Sequence, residues 1–350
     1  MPLTKRPDDS KPRIARAAIR KILNMADLSV APDAFAVLDG IGEVDTLPPE
    51  REVLLENIHK YDAYFATLKV RFDKEVIDRA VRLKVIATPS TGLDHIDLAY
   101  AAAKGIKVLS LKEDTAFLDT ITATAELTWT LLLAVVRRIP WAFDAAKRGV
   151  WARDEFRGHQ LSGKTLGILG YGRLGRIVAE YGYAFRMRVL ACDVREVAAV
   201  PYVEMVDFDT LLAKSDVVSV HIHLTKENTR LINKPVFDRM KPGAALVNTS
   251  RGAIIDEPAL VEALASGRLL GAGLDVIDGE WNDNLSSHPL IQYANSHDNL
   301  VITPHIGGVT LESQAMTIEH MVGKLKSHIF PHPRRENSRR GCGNNGVSRG

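Results

Sequence analysis

The chain has 350 residues, about twice the size of one ordinary domain, so two domains with separate cores are expected and a small disulfide-stapled scaffold is excluded. Hydrophobic residues make up 46% and charged residues 25%, the balance of a folded globular protein and not of a disordered or collagen-like one. The formal net charge is only +2, and the last twenty residues hold five Arg against one Glu, which leaves the rest slightly acidic and speaks against a nucleic-acid-binding body.

Residues 1–18 are basic but interrupted by Asp8 and Asp9, with no apolar core or small-residue cleavage site behind them, and read as a loose leader. From Lys21 short apolar runs alternate with helical patterns: KIL at 21–23, a Pro-initiated helix from about Pro49, AYFATL at 63–68, a helix near 73–82, KVIAT at 84–88 and KVLSL at 107–111. That alternation predicts a parallel α/β domain. A long helix is expected over 119–138, crossing between domains. Its apolar run, 127–136, is the longest in the chain and falls short of the ~20 residues that span a bilayer, so no membrane partner is expected. Residues 137–163, rich in Arg, Trp and Gly, read as an arm or linker carrying Trp141 and Trp151. From Lys164 a second alternation supplies strand candidates TLGIL, RVLAC, DVVSV, AALVN, GAGLDV and LVIT, with the clearest helix at 256–266, and predicts a second α/β domain. A helix is expected over 311–330, and the low-complexity basic tail, 331–350, is expected to be disordered. Cys192 and Cys342 have no partner in sequence reach, which fits a reducing compartment and predicts a cytoplasmic protein.

The strongest local signal is TLGILGYGRLGRIVAEYGYAF, in which an apolar strand runs into Gly170-x-Gly172-x-x-Gly175 and an amphipathic helix. The first glycine permits the tight turn, the second lets the backbone approach a pyrophosphate, and the third allows close helix packing, while the helix N-terminus supplies N–H groups. The next strand ends in Asp193, placed to accept hydrogen bonds from an adenosine ribose. A carboxylate there repels a 2′-phosphate, so NAD is favoured over NADP, with the Arg195 cation acting against that preference. A glycine turn in an ordinary α/β fold is the competing reading. His221 and His223 alternate on a strand and face one side, but no third ligand lies in sequence reach, so no metal is expected.

The segment NTSRGAIIDEPALVEALASGRLLGAGLDVIDGE, from Asn248 to Glu280, followed by TPHIGG from Thr303, resembles the signatures of the D-isomer-specific 2-hydroxyacid dehydrogenases. This family includes phosphoglycerate, glyoxylate/hydroxypyruvate and D-lactate dehydrogenases, and the resemblance covers roughly residues 20–328. It implies two Rossmann-like or flavodoxin-like parallel-sheet domains with a cleft between them. The substrate domain would take 19–118 plus 311–330 and the NAD-binding domain 119–310, and the molecule would be a homodimer. It also implies a catalytic trio at Arg251, Glu280 and His305. Thr249, Ser250 and Asp275 fall near the nicotinamide together with Arg251, His305 and Gly308, Arg173 and Leu174 fall over the pyrophosphate, and His221 with Ile222 beside the adenine ribose. The loop PSTGLDHID resembles the family's substrate loop, with the backbone N–H groups of Thr91 and Gly92 holding a carboxylate.

These residue types suit the oxidation of a secondary alcohol beside a carboxylate, or its reverse. The reaction needs a hydride acceptor, a base for the hydroxyl proton, and a fixed cation. His305 is the base, Glu280 orients its ring and favours its charged form, and Arg251 offers a planar fork to the carboxylate of a small 2-hydroxy or 2-keto acid. Departures from the family pattern stand at Trp281 and His223, where proline is common, and at Thr88, where phosphoglycerate enzymes carry an arginine. Formate dehydrogenases have Gln where Glu280 stands, which disfavours formate. The rival reading is a non-enzymatic NAD-binding sensor, since transcriptional corepressors of similar fold often keep the same trio.

Overall fold

The computed structural model describes residues 19–282 and 284–330. The expected leader and the expected disordered tail, with Cys342, lie outside the described residues. Two compact units divide the chain: one takes residues up to 89, 95–110 and from 318 onward, the other 90–94 and 111–317.

The first unit runs β1 (Lys21–Asn24), α1 (Pro32–Asp39), β2 (Glu43–Thr46), α2 (Arg51–Asn57), β3 (Ala63–Phe65), α3 (Lys74–Arg79), β4 (Val85–Ala87), α4 (Leu98–Ala103) and β5 (Lys107–Leu109). Its strands pair in parallel in the order β2-β1-β3-β4-β5, a flavodoxin-like arrangement. β3 and β4 are buried along their whole length, and continuous apolar runs are what such central strands require. β2, with sequence EVDT, escaped the sequence pattern because it is an edge strand whose charged residues meet solvent. Leu23, Tyr64, Phe72 and Ile86 centre the core.

The second unit opens with α5 (Thr115–Leu118), α6 (Ala123–Val136) and α7 (Ile139–Lys147). The expected helix over 119–138 is α6, four residues shorter at its start and two at its end, and α5 is a separate turn of helix before it. The expected arm contains a helix, α7, whose Pro140 sits in the first turn, where a missing N–H costs nothing. α7 buries only Ala145 and leaves Ile139 and Phe143, four residues apart on one face, exposed. Then follow β6 (Thr165–Leu169), α8 (Arg173–Ala184), β7 (Arg188–Cys192), β8 (Val203–Met205), α9 (Phe208–Lys214), β9 (Val217–Val220), α10 (Lys234–Arg239) and β10 (Ala244–Asn248). α11 (Glu257–Ala265), β11 (Leu269–Leu274), α12 (Pro289–Ala294) and β12 (Leu300–Ile302) complete the alternation, and α13 (Leu311–Ile329) starts in this unit and ends in the first.

All seven strands of the second sheet are parallel, in the order β12-β11-β10-β9-β6-β7-β8. Strand order reverses between β6 and β9, the point where open α/β sheets leave a crevice beyond their carboxyl ends. α6 packs on β10, β11 and α8 and buries Trp129, Leu131, Leu132, Val135 and Val136. Among the described residues no helix is long and apolar enough to cross a membrane.

Candidate active site

The register of the second sheet sets its strand ends level. Leu169 of β6 pairs with Cys192 of β7 and Val220 of β9, Val220 with Asn248 of β10, Asn248 with Leu274 of β11, and Leu274 with Ile302 of β12. The residues that follow each strand therefore emerge side by side at the carboxyl edge: Gly170, Asp193, His221, Thr249, Asp275 and Thr303. This row holds or precedes almost every position the sequence singled out.

At the reversal, Gly170 has φ 97°, and a Cβ there would stand 2.6 Å from the His221 carbonyl oxygen, so only glycine fits the turn. A Cβ on Gly175 would collide with the Gly170 carbonyl. Gly172 differs, because a Cβ there would meet nothing nearer than Arg195 Nη2 at 3.7 Å. Internal packing does not demand glycine at 172; an open approach to the backbone does. Gly172 is also the N-cap of α8 and caps no N–H with a side chain, so the helix start faces that approach with unsatisfied donors. Asp193 Oδ2 accepts the Tyr171 N–H at 3.0 Å. His221 Nε2 lies 2.8 Å from Ser219 Oγ while its Nδ1 is sealed from solvent without a protein partner, and burial pushes the ring's pKa down to about 4. Arg173 turns its guanidinium away to the carbonyls of Leu118 and Ile121, at 2.9 and 2.7 Å, leaving its backbone at the helix start.

The turn after β10 is tied by buried Asn248. Its Oδ1 accepts the Ser250 N–H and Oγ–H, at 3.0 and 2.6 Å, and its Nδ2 donates to the Arg251 carbonyl at 2.9 Å. Thr249 Oγ1 meets Thr128 of α6 at 2.9 Å. Arg251 then reaches the PSTGLDHID loop. Its Nε donates to both oxygens of Asp94, at 3.0 and 3.1 Å, Nη2 to Oδ1 at 2.9 Å, and Nη1 to the Ser250 carbonyl at 2.7 Å. A Cβ on Gly92 would land on Arg251 Nη2, so glycine there keeps the guanidinium against the Thr91–Gly92 backbone. Asp94 had no role assigned from the sequence, because nothing local distinguishes it from a turn aspartate.

Beyond β11 and β12, Asp275 acts as a buried hub. Its carboxylate accepts from Thr303 Oγ1 at 2.6 Å and from the N–H groups of Ile306 and Gly307 at 2.8 and 2.7 Å, and its carbonyl accepts the His305 N–H at 2.8 Å. Burial raises its pKa against those stabilising bonds. The loop so fixed holds His305 with φ 55° and its Nδ1 2.6 Å from Glu280 Oε1. The Glu280 loop is itself held, since Glu257 accepts the Asp278 N–H at 2.7 Å and pairs with His288 at 3.3 Å. Trp281, at the family's usual proline position, lies 5.8 Å from the His305 ring, and a cavity of about 520 Å³ lined by Glu280, Trp281, Ile291, Ile302 and His305 opens beside the pair. The structure thus joins His305 to Glu280, and Arg251 to Asp94 and Gly92.

Comparison with known proteins gives this arrangement its class. Residues 129–307 match the D-isomer specific 2-hydroxyacid dehydrogenase, NAD binding domain. The chain is similar to a glyoxylate reductase of Thermofilum pendens, 37% identical over 326 residues that cover 89% of this chain and 92% of that one. It also resembles a D-3-phosphoglycerate dehydrogenase of Archaeoglobus fulgidus, 42% identical over 75% of this chain but only 49% of that longer protein. Among solved structures, the D-lactate dehydrogenase from Aquifex aeolicus, complexed with NAD and lactic acid, aligns at TM-score 0.76 and 30% identity over 89% of this chain and 96% of that one. The chain belongs to the D-isomer specific 2-hydroxyacid dehydrogenase family and is an NAD-dependent dehydrogenase. The open glycine at 172, the uncapped start of α8 and the Asp193 carboxylate are what NAD requires of its site.

Proposed function

We propose that the chain interconverts a small 2-keto acid and its D-2-hydroxy acid, with Arg251, Glu280 and His305 as the working residues. The observation that carries this is the 2.6 Å contact between His305 Nδ1 and Glu280 Oε1, made on a loop fixed by Asp275 at the sheet's carboxyl edge. The carboxylate accepts, so Nδ1 carries a proton and Nε2 is left to exchange one with the substrate oxygen. Arg251 spends its Nε/Nη2 edge on Asp94 and one Nη1 donor on Ser250. Its end-on Nη1/Nη2 pair remains to grip a substrate carboxylate, with the N–H groups of Thr91 and Gly92, and to polarise the adjacent carbonyl. NAD supplies the hydride chemistry when bound.

Similarity to a glyoxylate reductase over nearly its full length supports a short substrate, and Thr88 in place of an arginine argues against a phosphorylated one. In this reading residues 119–310 bind NAD, and 19–118 with 311–330 complete the substrate side. The protein works as a homodimer in the cytoplasm, a reading supported by the exposed apolar residues of α7 and by the free thiol of Cys192.

An NADH-oxidation screen over glyoxylate, hydroxypyruvate, pyruvate, 3-phosphohydroxypyruvate and longer 2-keto acids tests it. Turnover is expected with one of the short unphosphorylated acids. His305→Ala is expected to lose most of it, on the order of 10²-fold or more, while NADH binding survives. Arg251→Ala and, more mildly, Asp94→Asn are expected to raise KM and lower kcat together. NADH binding without turnover on any acid would instead indicate a sensor.

A further inference from the structure

We propose that Arg195 is a second determinant of cofactor choice, one that offsets the discrimination imposed by Asp193 and lets the chain bind NADPH alongside NADH. Asp193 follows β7 with a side chain only 6% exposed, while Arg195, two residues on, is 66% exposed. Arg195 Nε donates to Asp193 Oδ1 at 3.0 Å and Nη2 to Oδ2 at 3.1 Å, a fork-to-fork pair. The Arg195 backbone N–H adds a third bond to Oδ1 at 2.9 Å, and Tyr171 N–H a bond to Oδ2 at 3.0 Å. Each carboxylate oxygen thus already accepts two hydrogen bonds, and a fixed cation matches its charge before any nucleotide arrives.

A lone carboxylate at this position rejects NADPH by repelling the 2′-phosphate and selects NADH by gripping the ribose diol. A carboxylate locked to a guanidinium does both less well. Its field is largely cancelled, and its lone pairs are shared with donors that the diol must displace. The guanidinium keeps N–H groups to spare and presents a planar fork of the shape that phosphate takes. Its position is not remote, for Nη2 lies 3.7 Å from where a Cβ on Gly172 would stand, directly over the dinucleotide turn. Asp193 and Arg195 therefore form one composite element for the ribose 2′ position: the acid serves the free hydroxyl and the base serves its phosphate ester.

Isothermal titration of the unmutated protein, Arg195→Gln and Arg195→Lys with NADH, NADPH and adenosine 2′,5′-bisphosphate measures this without any keto acid, so the outcome is independent of the substrate assigned above. NADPH is expected to bind the unmutated protein. In Arg195→Gln the ratio of Kd for NADPH to Kd for NADH is expected to rise about tenfold, the loss of one charge-assisted contact. Adenosine 2′,5′-bisphosphate is expected to weaken in step, and Arg195→Lys, which keeps the charge, to weaken less than Arg195→Gln. A ratio that rises less than about threefold in Arg195→Gln, or no NADPH binding to the unmutated protein, overturns the proposal. Because the Arg195 side chain is 66% exposed, a loss of fold is not the expected cause of any change; the NADH titration of the same variant reports it directly.

Discussion

His305 holds a left-handed backbone at φ 55°, which costs a non-glycine residue on the order of 1 kcal/mol. The hydrogen bonds of Thr303, Ile306 and Gly307 to Asp275 oblige the loop to take that shape, so the strain is held in place by a buried carboxylate. His221 shows another residue-scale cost. Burial depresses its pKa from 6.5 to about 4, so the folded chain stays neutral over a range where the unfolded chain takes up a proton. Stability from this residue is complete above the unfolded value and is lost as pH falls from 6.5 toward 4. The unmutated protein is therefore expected to lose about 2 kcal/mol more than His221→Gln between about pH 7.5 and pH 5. Urea melts of both proteins at the two pH values check it; equal losses would mean that the imidazole is protonated in the fold.

At the scale of elements, α6 is the piece that joins the sheet to the dinucleotide helix. Trp129 is buried, stacks on Phe185 just past α8 with ring centres 4.6 Å apart, and donates its indole N–H to the Val178 carbonyl at 3.3 Å. Thr128, one residue earlier, touches Thr249 on the turn that carries Arg251. Trp129→Ala is expected to destabilise the second unit by about 3–5 kcal/mol through the cavity it leaves. Trp129→Phe, which keeps a ring for the stack, is expected to cost clearly less. Chemical denaturation followed by circular dichroism separates the two, and a cost for alanine under about 1 kcal/mol would show that the neighbouring side chains collapse into the space.

At the scale of the whole molecule, the stretch 139–151 carries a run of exposed large apolar side chains. Ile139, Phe143 and Val150 are 53%, 61% and 45% exposed, and Trp151 is 87% exposed, far more apolar side chain than a solvated helix and loop ordinarily show. In the homodimer proposed above, a second copy of the chain covers this stretch. Light scattering at micromolar concentration is expected to give twice the chain mass, and Phe143→Glu with Trp151→Glu to shift the protein toward the monomer. A monomeric mass for the unmutated protein would leave these side chains exposed without a partner.

Much of this molecule can be read without coordinates, and the reasons are local. Central strands such as TLGIL and AALVN announce themselves because both faces are buried, and the glycine turn does so because no other residue tolerates φ 97° at Gly170 against the His221 carbonyl. Arg251, Glu280 and His305 stand out in the sequence because their motifs follow strand ends, and the structure sets His305 against Glu280. Edge strands β2 and β8 do not, since solvated strands need no alternating apolar pattern, and α7 does not, since it spans only nine residues and carries Pro140 in its first turn. Only tertiary structure decides which partners the charged groups take. Asp94 lies far from Arg251 in the chain, Asp275 spends its carboxylate on the His305 loop, and Arg173 turns from the pyrophosphate turn to two carbonyls. Such pairings depend on strand order and register, which bring distant segments to one sheet edge, and no short window of sequence carries that information.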